Sequence, residues 1–145
     1  MSGALEVAAG AFAVVGVVDV LVRTGRDVYD FLRDVEDAPA NAAKLCETIA
    51  DSILLADASK RYLQQLQNQN PHAPIADTPG ALTSALKAID REVRSLKMLT
   101  AKCKGNKSKW SSIRYALSGQ RIDKALSSLE RYKSTLATAL TLACR

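Results

Sequence analysis

Apolar residues recur along this chain at helical spacing almost throughout. Leu45, Ile49, Ile53, Ala56, Leu63 and Leu66 form one stripe, with Lys60 interrupting its register. Leu82, Leu86, Ile89, Val93 and Leu96 form a second, with alternating steps of four and three. Ile122, Leu126, Leu129, Leu136 and Leu140 form a third. Ahead of them, Val7 to Val18 is an uncharged run of 12 small and apolar residues, bracketed by Glu6 and Asp19. It is apolar on every face, so as a helix it must be buried in protein or in lipid.

Punctuation divides these patterns into five predicted helices. The first spans 4–36, either unbroken or hinged near Thr24-Gly25, and ends at Asp37-Ala38-Pro39 because the residue before proline leaves the helical region. Pro39 then opens a helix over 39–68. Residues 67–80 hold three of the four prolines and read as a polar loop. Thr78 as N-cap and Pro79 at the first position start a helix over 79–103. Lys102, Lys104 and Gly105-Asn106 close it. Ser108 caps a short segment over 109–117, Gly119 breaks it, and a last helix covers 120–143. Strand signals are scarce, the one β-branched-rich run being Val14 to Val22, whose flanks read as helix, and there is no repeat of solenoid length. The expectation is an all-α, antiparallel bundle of four to five helices in a single domain over 1–145, with an apolar N-terminal helix (1–36) and a bundle core (39–143).

Charge is distributed unevenly. Residues 1–37 have net charge −4, residues 38–93 have −1, and residues 94–145 have +10, from twelve basic and two acidic groups. Such a basic third suits an anionic partner: a membrane surface, nucleic acid, or the chain's own acidic 27–37 stretch. Lys97, Lys102, Lys104, Lys107, Lys109 and Arg114, with Arg94, are candidate lipid-headgroup residues, each worth about 1 kcal/mol near an anionic leaflet. Trp110 and Tyr115 do not make an interleaved stacking surface, and this argues against nucleic acid.

Catalytic chemistry is hard to find. His72 stands alone in the proline-rich loop, the glycines are dispersed, and no serine or threonine has an evident base partner. The carboxylates Asp27, Asp30, Asp34, Glu36 and Asp37 fit a solvated helix face or a cation site. No enzyme activity and no cofactor are expected. Cys46, Cys103 and Cys144, odd in number and widely spaced, read as buried thiols of a reducing compartment. No basic residue precedes the N-terminal run, which argues against a signal peptide.

The N-terminal run is poised between two fates. Twelve residues make about 18 Å of helix against roughly 30 Å of hydrocarbon. Tolerating Glu6 and Asp19 extends the segment to Ala4–Val22, about 28 Å. Leu5, Val7, Phe12, Val14, Val15, Val17 and Val18 are the candidate membrane-inserting residues. Gly10, Ala13 and Gly16 recur at a spacing that permits close helix approach, in lipid or in a soluble core. At rest, the helix is expected to pack against the bundle and bury Leu5, Phe12 and Val15.

The start, Gly3 to Val18, resembles the N-terminal helix of fungal HeLo-like domains, which precede the NACHT or NB-ARC modules of NOD-like receptors. Lys109-Trp110, followed by Ile122, Leu126, Leu129-Glu130, Lys133, Leu136 and Ala139-Leu140, is similar to the C-terminal part of those domains. The resemblance implies a bundle related to that of the necroptosis pseudokinase. It implies a cell-death effector or signalling domain of innate-immune type. Such a domain is cytoplasmic, forms homo-oligomers on activation and relocates to anionic lipid of the plasma membrane through its first helix. It also implies a NACHT or NB-ARC module in cis or in trans, the chain being an excised or a stand-alone domain. Gly10 and Gly16 match glycine-bearing positions of that helix, and Glu6 is similar to an acidic residue near its start. Asp19 departs from the most lytic members. Non-lytic oligomerisation stays open as the alternative.

Overall fold

A computed structural model describes residues 2–69, 79–103, 110 and 117–143; the side chains of residues 2–13, 67 and 79 lie outside that description. Among the described residues there are four helices and no β-sheet: α1 (Ser2–Arg33), α2 (Ala40–Gln69), α3 (Pro79–Ala101) and α4 (Gly119–Ala143). The expected segment over 109–117, apart from Trp110 and Leu117, falls outside the described residues, as do Thr78, Ser108, His72 and Cys144.

The helices form a four-cornered bundle. α1 packs on α2 and α3, α4 packs on the same two, and α2 touches α3 only lightly across the diagonal. Asp19 pairs with Lys60, and the Tyr29 carbonyl faces the Cys46 thiol, so α1 and α2 run antiparallel. Asp27 pairs with Lys97, and Val35 packs against Cys103, so α1 and α3 run parallel. Consecutive helices alternate in direction, as expected. The short link after α1 keeps α2 beside it. The longer link between Gln69 and Pro79 joins diagonal helices, and two of the four packed pairs are therefore parallel.

Each helix presents a heptad stripe to the centre. On α1 it is Val14, Val18, Leu21, Val28 and Leu32, with Gly25 buried on the same register. On α3 all five expected residues are buried. On α4 Ile122, Ala125, Leu129 and Leu136 are buried, while Leu126 and Leu140 are half-buried. α2 differs from expectation. Ser52 and Ser59 hold core positions, and Ile53 and Leu66 are only half-buried. The two hydroxyls donate to the carbonyls of Thr48 and Leu55, both at 2.8 Å, and this internal bonding lets serine sit in an apolar seam.

Two helix ends also differ. α1 stops at Arg33, three residues short of the expected end. The Glu36 carbonyl instead accepts the Trp110 N–H at 3.0 Å, and Asp37 takes a positive φ of 59°, a conformation aspartate tolerates. Val35 turns inward there to join Cys103, beside Phe31, Ala38 and Trp110. At the start of α4, Ser118 is the cap: its Oγ accepts the Arg121 N–H at 3.2 Å. Gly119 is thus a first helical residue rather than a break alone.

The hinge alternative at Gly25 is resolved by contact. α1 is continuous through it. A Cβ at Gly25 would lie 3.0 Å from Ile53 Cδ1 and 3.2 Å from Ile53 Cγ1, so the missing side chain is what lets α1 and α2 approach.

A polar ladder holds the parallel pair α2/α4. Asn41–Asp123 (2.8 Å), Thr48–Glu130 (2.6 Å) and Asp51–Lys133 (3.4 Å) are each offset by 82 residues, so every rung specifies the same register. The Thr48 hydroxyl, with Lys133, holds the Glu130 carboxyl below its ordinary range. Burial pushes the Lys133 ammonium down, but Glu130 and Asp51 outweigh it and hold it above its usual range.

Two outcomes follow in denaturation experiments. Gly25→Leu should destabilise the fold by ~1–3 kcal/mol through overpacking, whereas Gly16→Ala, whose Cβ meets nothing within 4 Å, should gain ~0.5–1 kcal/mol. The ladder adds a pH dependence. A carboxyl depressed in the folded state contributes stability present above its unfolded pKa and lost as pH falls through the folded value. Lys133, raised, contributes below its unfolded pKa and loses that above about 10.5. Glu130→Gln should therefore lower the neutral plateau of a stability–pH profile while leaving the acid end nearly unchanged, so that the acid limb flattens.

Candidate functional site

The candidate site is the first half of α1 and the surface that receives it. The backbone of α1 carries Leu5, Glu6, Val7, Gly10, Phe12 and Ala13, whose side chains lie outside the described residues. From Val14 onward the placement is specific. Val14 and Val18 are buried in the bundle core, at 4% and 0% exposure. Val15 and Val17 are half-buried, so Val15 is not the core residue it is expected to be; the heptad register puts Val14 and Val18 there instead. Gly16 faces outward with open space around it. It therefore makes no helix–helix contact within the bundle, and close approach between α1 and α2 falls to Gly25.

Asp19, the charge within the apolar stretch, is exposed, and Lys60 Nζ reaches its Oδ1 at 2.7 Å. Lys60 is the residue that interrupts the apolar stripe of α2. The two irregularities of the sequence answer each other across the α1/α2 interface. Farther along α1, Asp27 receives Lys97 from α3 at 3.2 Å. α1 is thus held to its two neighbours by one cross-helix ion pair each among the described residues, in addition to its buried stripe.

The basic group expected to meet lipid headgroups is only partly described. Lys97 is engaged with Asp27, and Lys102 is exposed in the turn after α3. Lys104, Lys107, Lys109 and Arg114 fall outside the described residues. Asp27, Asp30, Asp34, Glu36 and Asp37 lie on the surface. Arg33 bridges Asp30 (3.5 Å) and Asp34 (3.4 Å), so three of the five carboxylates are in ion pairs. Among the described residues no group of three or more His, Cys, Asp or Glu is placed to hold a metal ion.

A groove of about 420 Å³ opens between the end of α1 and the start of α2. Leu32, Val35 and Ala43 line it with Cys46, and Arg33, Glu47 and Asp51 form its rim. Burial pushes the Cys46 thiol up to about 11, with Arg33 opposing weakly, so at neutral pH it is an unreactive thiol rather than a nucleophile. Cys103 is likewise buried, and burial raises it.

Sequence reading missed two features of this region. One is the stripe Val14–Val18–Leu21–Gly25–Val28–Leu32, visible as alternating steps of four and three once α1 is taken as one unbroken helix. The other is Asp90, buried on α3. Its Oδ2 pairs with Arg94 at 2.9 Å, while Oδ1 has no partner. Burial raises this carboxyl and Arg94 partly offsets it. A lone acid beside an apolar stripe carries no sequence signal of burial.

The Asp19–Lys60 pair is partly exposed, so Asp19→Asn and Lys60→Met should each cost no more than ~1 kcal/mol, with a coupling that shrinks in high salt. A double-mutant cycle in urea measures it. Comparison of the chain with protein-family models, with curated proteins and with solved structures finds no match.

Proposed function

We propose that this chain is a cell-death effector or signalling domain that oligomerises on activation and targets anionic membrane through its N-terminal helix. The observation that carries the reading is the composition of α1. Its first half combines an uncharged run of 12 residues with an outward, unencumbered Gly16 and an Asp19 neutralised by Lys60. Among the described residues no helix is long and apolar enough to cross a membrane. In this reading several copies act together, and α1 gives up its bundle contacts as it meets lipid. A NACHT or NB-ARC module, in cis or in trans, supplies the clustering, and the domain moves from the cytoplasm to the plasma membrane.

A specific observation favours a second reading. Val14, Val18, Leu21, Val28 and Leu32 belong to the one main core. Withdrawing all of α1 would strip that core, at roughly 1.5–3 kcal/mol for each large side chain. A non-lytic homo- or hetero-oligomerisation module keeps α1 in place and avoids this cost.

Leakage from dye-loaded phosphatidylserine/phosphatidylcholine vesicles separates the two. Clustered wild-type protein should release dye. Gly16→Asp should keep the native circular dichroism, because the position is open, yet lose leakage by more than about tenfold, since a carboxylate at the centre of a span costs ~2.5–3.5 kcal/mol. Clustered wild type that neither leaks nor binds would sink the membrane reading in favour of the second.

A further inference from the structure

α3 carries an exposed face of a single charge sign. Lys87, Arg91, Arg94 and Lys102 project to solvent along one side, with Met98 among them at 68% exposure. Their spacing of four, three and four residues keeps Lys87, Arg91, Arg94 and Met98 on one ridge, about 17 Å long at the helical rise, and Lys102 follows in the turn just past α3. The acids of α3 are turned away from it. Asp90 is buried beneath the ridge with one oxygen on Arg94, and Glu92 is half-buried against Arg121 of α4 at 2.9 Å. Among the described residues no carboxylate pairs with Lys87, Arg91 or Lys102.

The exposed faces of α1 and α2 are mixed: Asp19 and Arg23 share one, Lys44 and Glu47 the other, while that of α4 carries Lys124 and Arg131, seven residues apart, among serines and threonines. On α1 and α2 the two signs offset one another along the same face. Along the α3 ridge itself, among the described residues, only Arg94 is compensated, and its buried partner orients the guanidinium at the middle of the ridge.

We infer that the outer face of α3 is the surface on which the bundle lies against an anionic lipid bilayer. Charge complementarity makes the first part of the case, because cations on a straight ridge reach a plane of phosphates together. Met98 makes the second. An unbranched apolar side chain standing out between Arg94 and Lys102 gains nothing from a nucleic-acid backbone or an acidic peptide, but it reaches the acyl boundary when its neighbours touch headgroups. The ridge is convex and carries no aromatic side chain, so it offers bases nothing to stack on. The inference rests on the reading that this chain meets a membrane, but not on release of α1.

The test is co-sedimentation of unclustered full chain with vesicles of phosphatidylserine/phosphatidylcholine and of phosphatidylcholine alone. Wild type should bind the anionic vesicles only, more weakly as salt rises. Lys87→Ala with Arg91→Ala should lose on the order of thirtyfold in affinity, as expected for two cations near an anionic surface, and Met98→Ser a few-fold. All three positions are exposed, and circular dichroism checks the fold. Gly16→Asp should bind as wild type does while failing in leakage. Failure of wild type to sediment, with clustered leakage intact, would overturn this docking face and spare the function proposed above. Undiminished binding by the double variant would overturn it too. Tighter binding to duplex DNA or polyglutamate than to vesicles would overturn it in favour of another polyanion.

Discussion

The bundle depends on how closely α1 can approach α2. Like every helix of the bundle α1 serves two neighbours, running against α2 on one side and beside α3 on the other. It does so with one narrow stripe, Val14 to Leu32, in which Gly25 removes a side chain where Ile53 would otherwise collide. That gap sets the separation of α1 and α2. With α3 also seated on α1, the position left for α4 is the fourth corner, against both α2 and α3.

Polar groups then select one arrangement among those that apolar packing allows. A stripe of leucines tolerates a slip by one turn, but the α2/α4 ladder does not. Asn41, Thr48 and Asp51 find Asp123, Glu130 and Lys133 at a single offset, and a slip would leave a buried threonine hydroxyl without its acceptor. Arg121 does the same work on the α3 side, reaching Glu92 and Ser95. Asp19–Lys60 and Asp27–Lys97 belong to this class and, like Asp51–Lys133, are partly exposed, so solvent and salt weaken them.

The functional reading and the docking face meet at α1 and α3, which run parallel and share one side of the bundle. A membrane held against the outer face of α3 lies beside α1 rather than across the molecule from it. Lys97 stands between the two, facing Asp27 of α1 and adjoining Met98 of the ridge in sequence. An anionic surface that draws on Lys97 weakens one of the two cross-helix ion pairs holding α1.

The stripes of α3 and α4, the helical character of the first segment and the proline at the start of α3 were legible in the residues, because helical periodicity and proline stereochemistry act within a few positions of each other. The helical class and the element boundaries follow from such local terms to within a turn. Partners distant in sequence were not legible. Lys60 reads as a blemish in a stripe until Asp19 is placed opposite it. Ser52 and Ser59 read as polar until their hydroxyls turn back on their own helix. Gly16 stands among valines and Gly25 between Thr24 and Arg26, yet it is Gly16 that faces open solvent and Gly25 that meets a side chain at 3.0 Å. The sequence by itself determined that this chain is helical, where charge is concentrated, and that its N-terminal stretch is short of charge. Only the tertiary structure decided which helices are neighbours, which glycine is a contact and which cations stand without a counter-charge, because each depends on distances between segments that no local interaction sets.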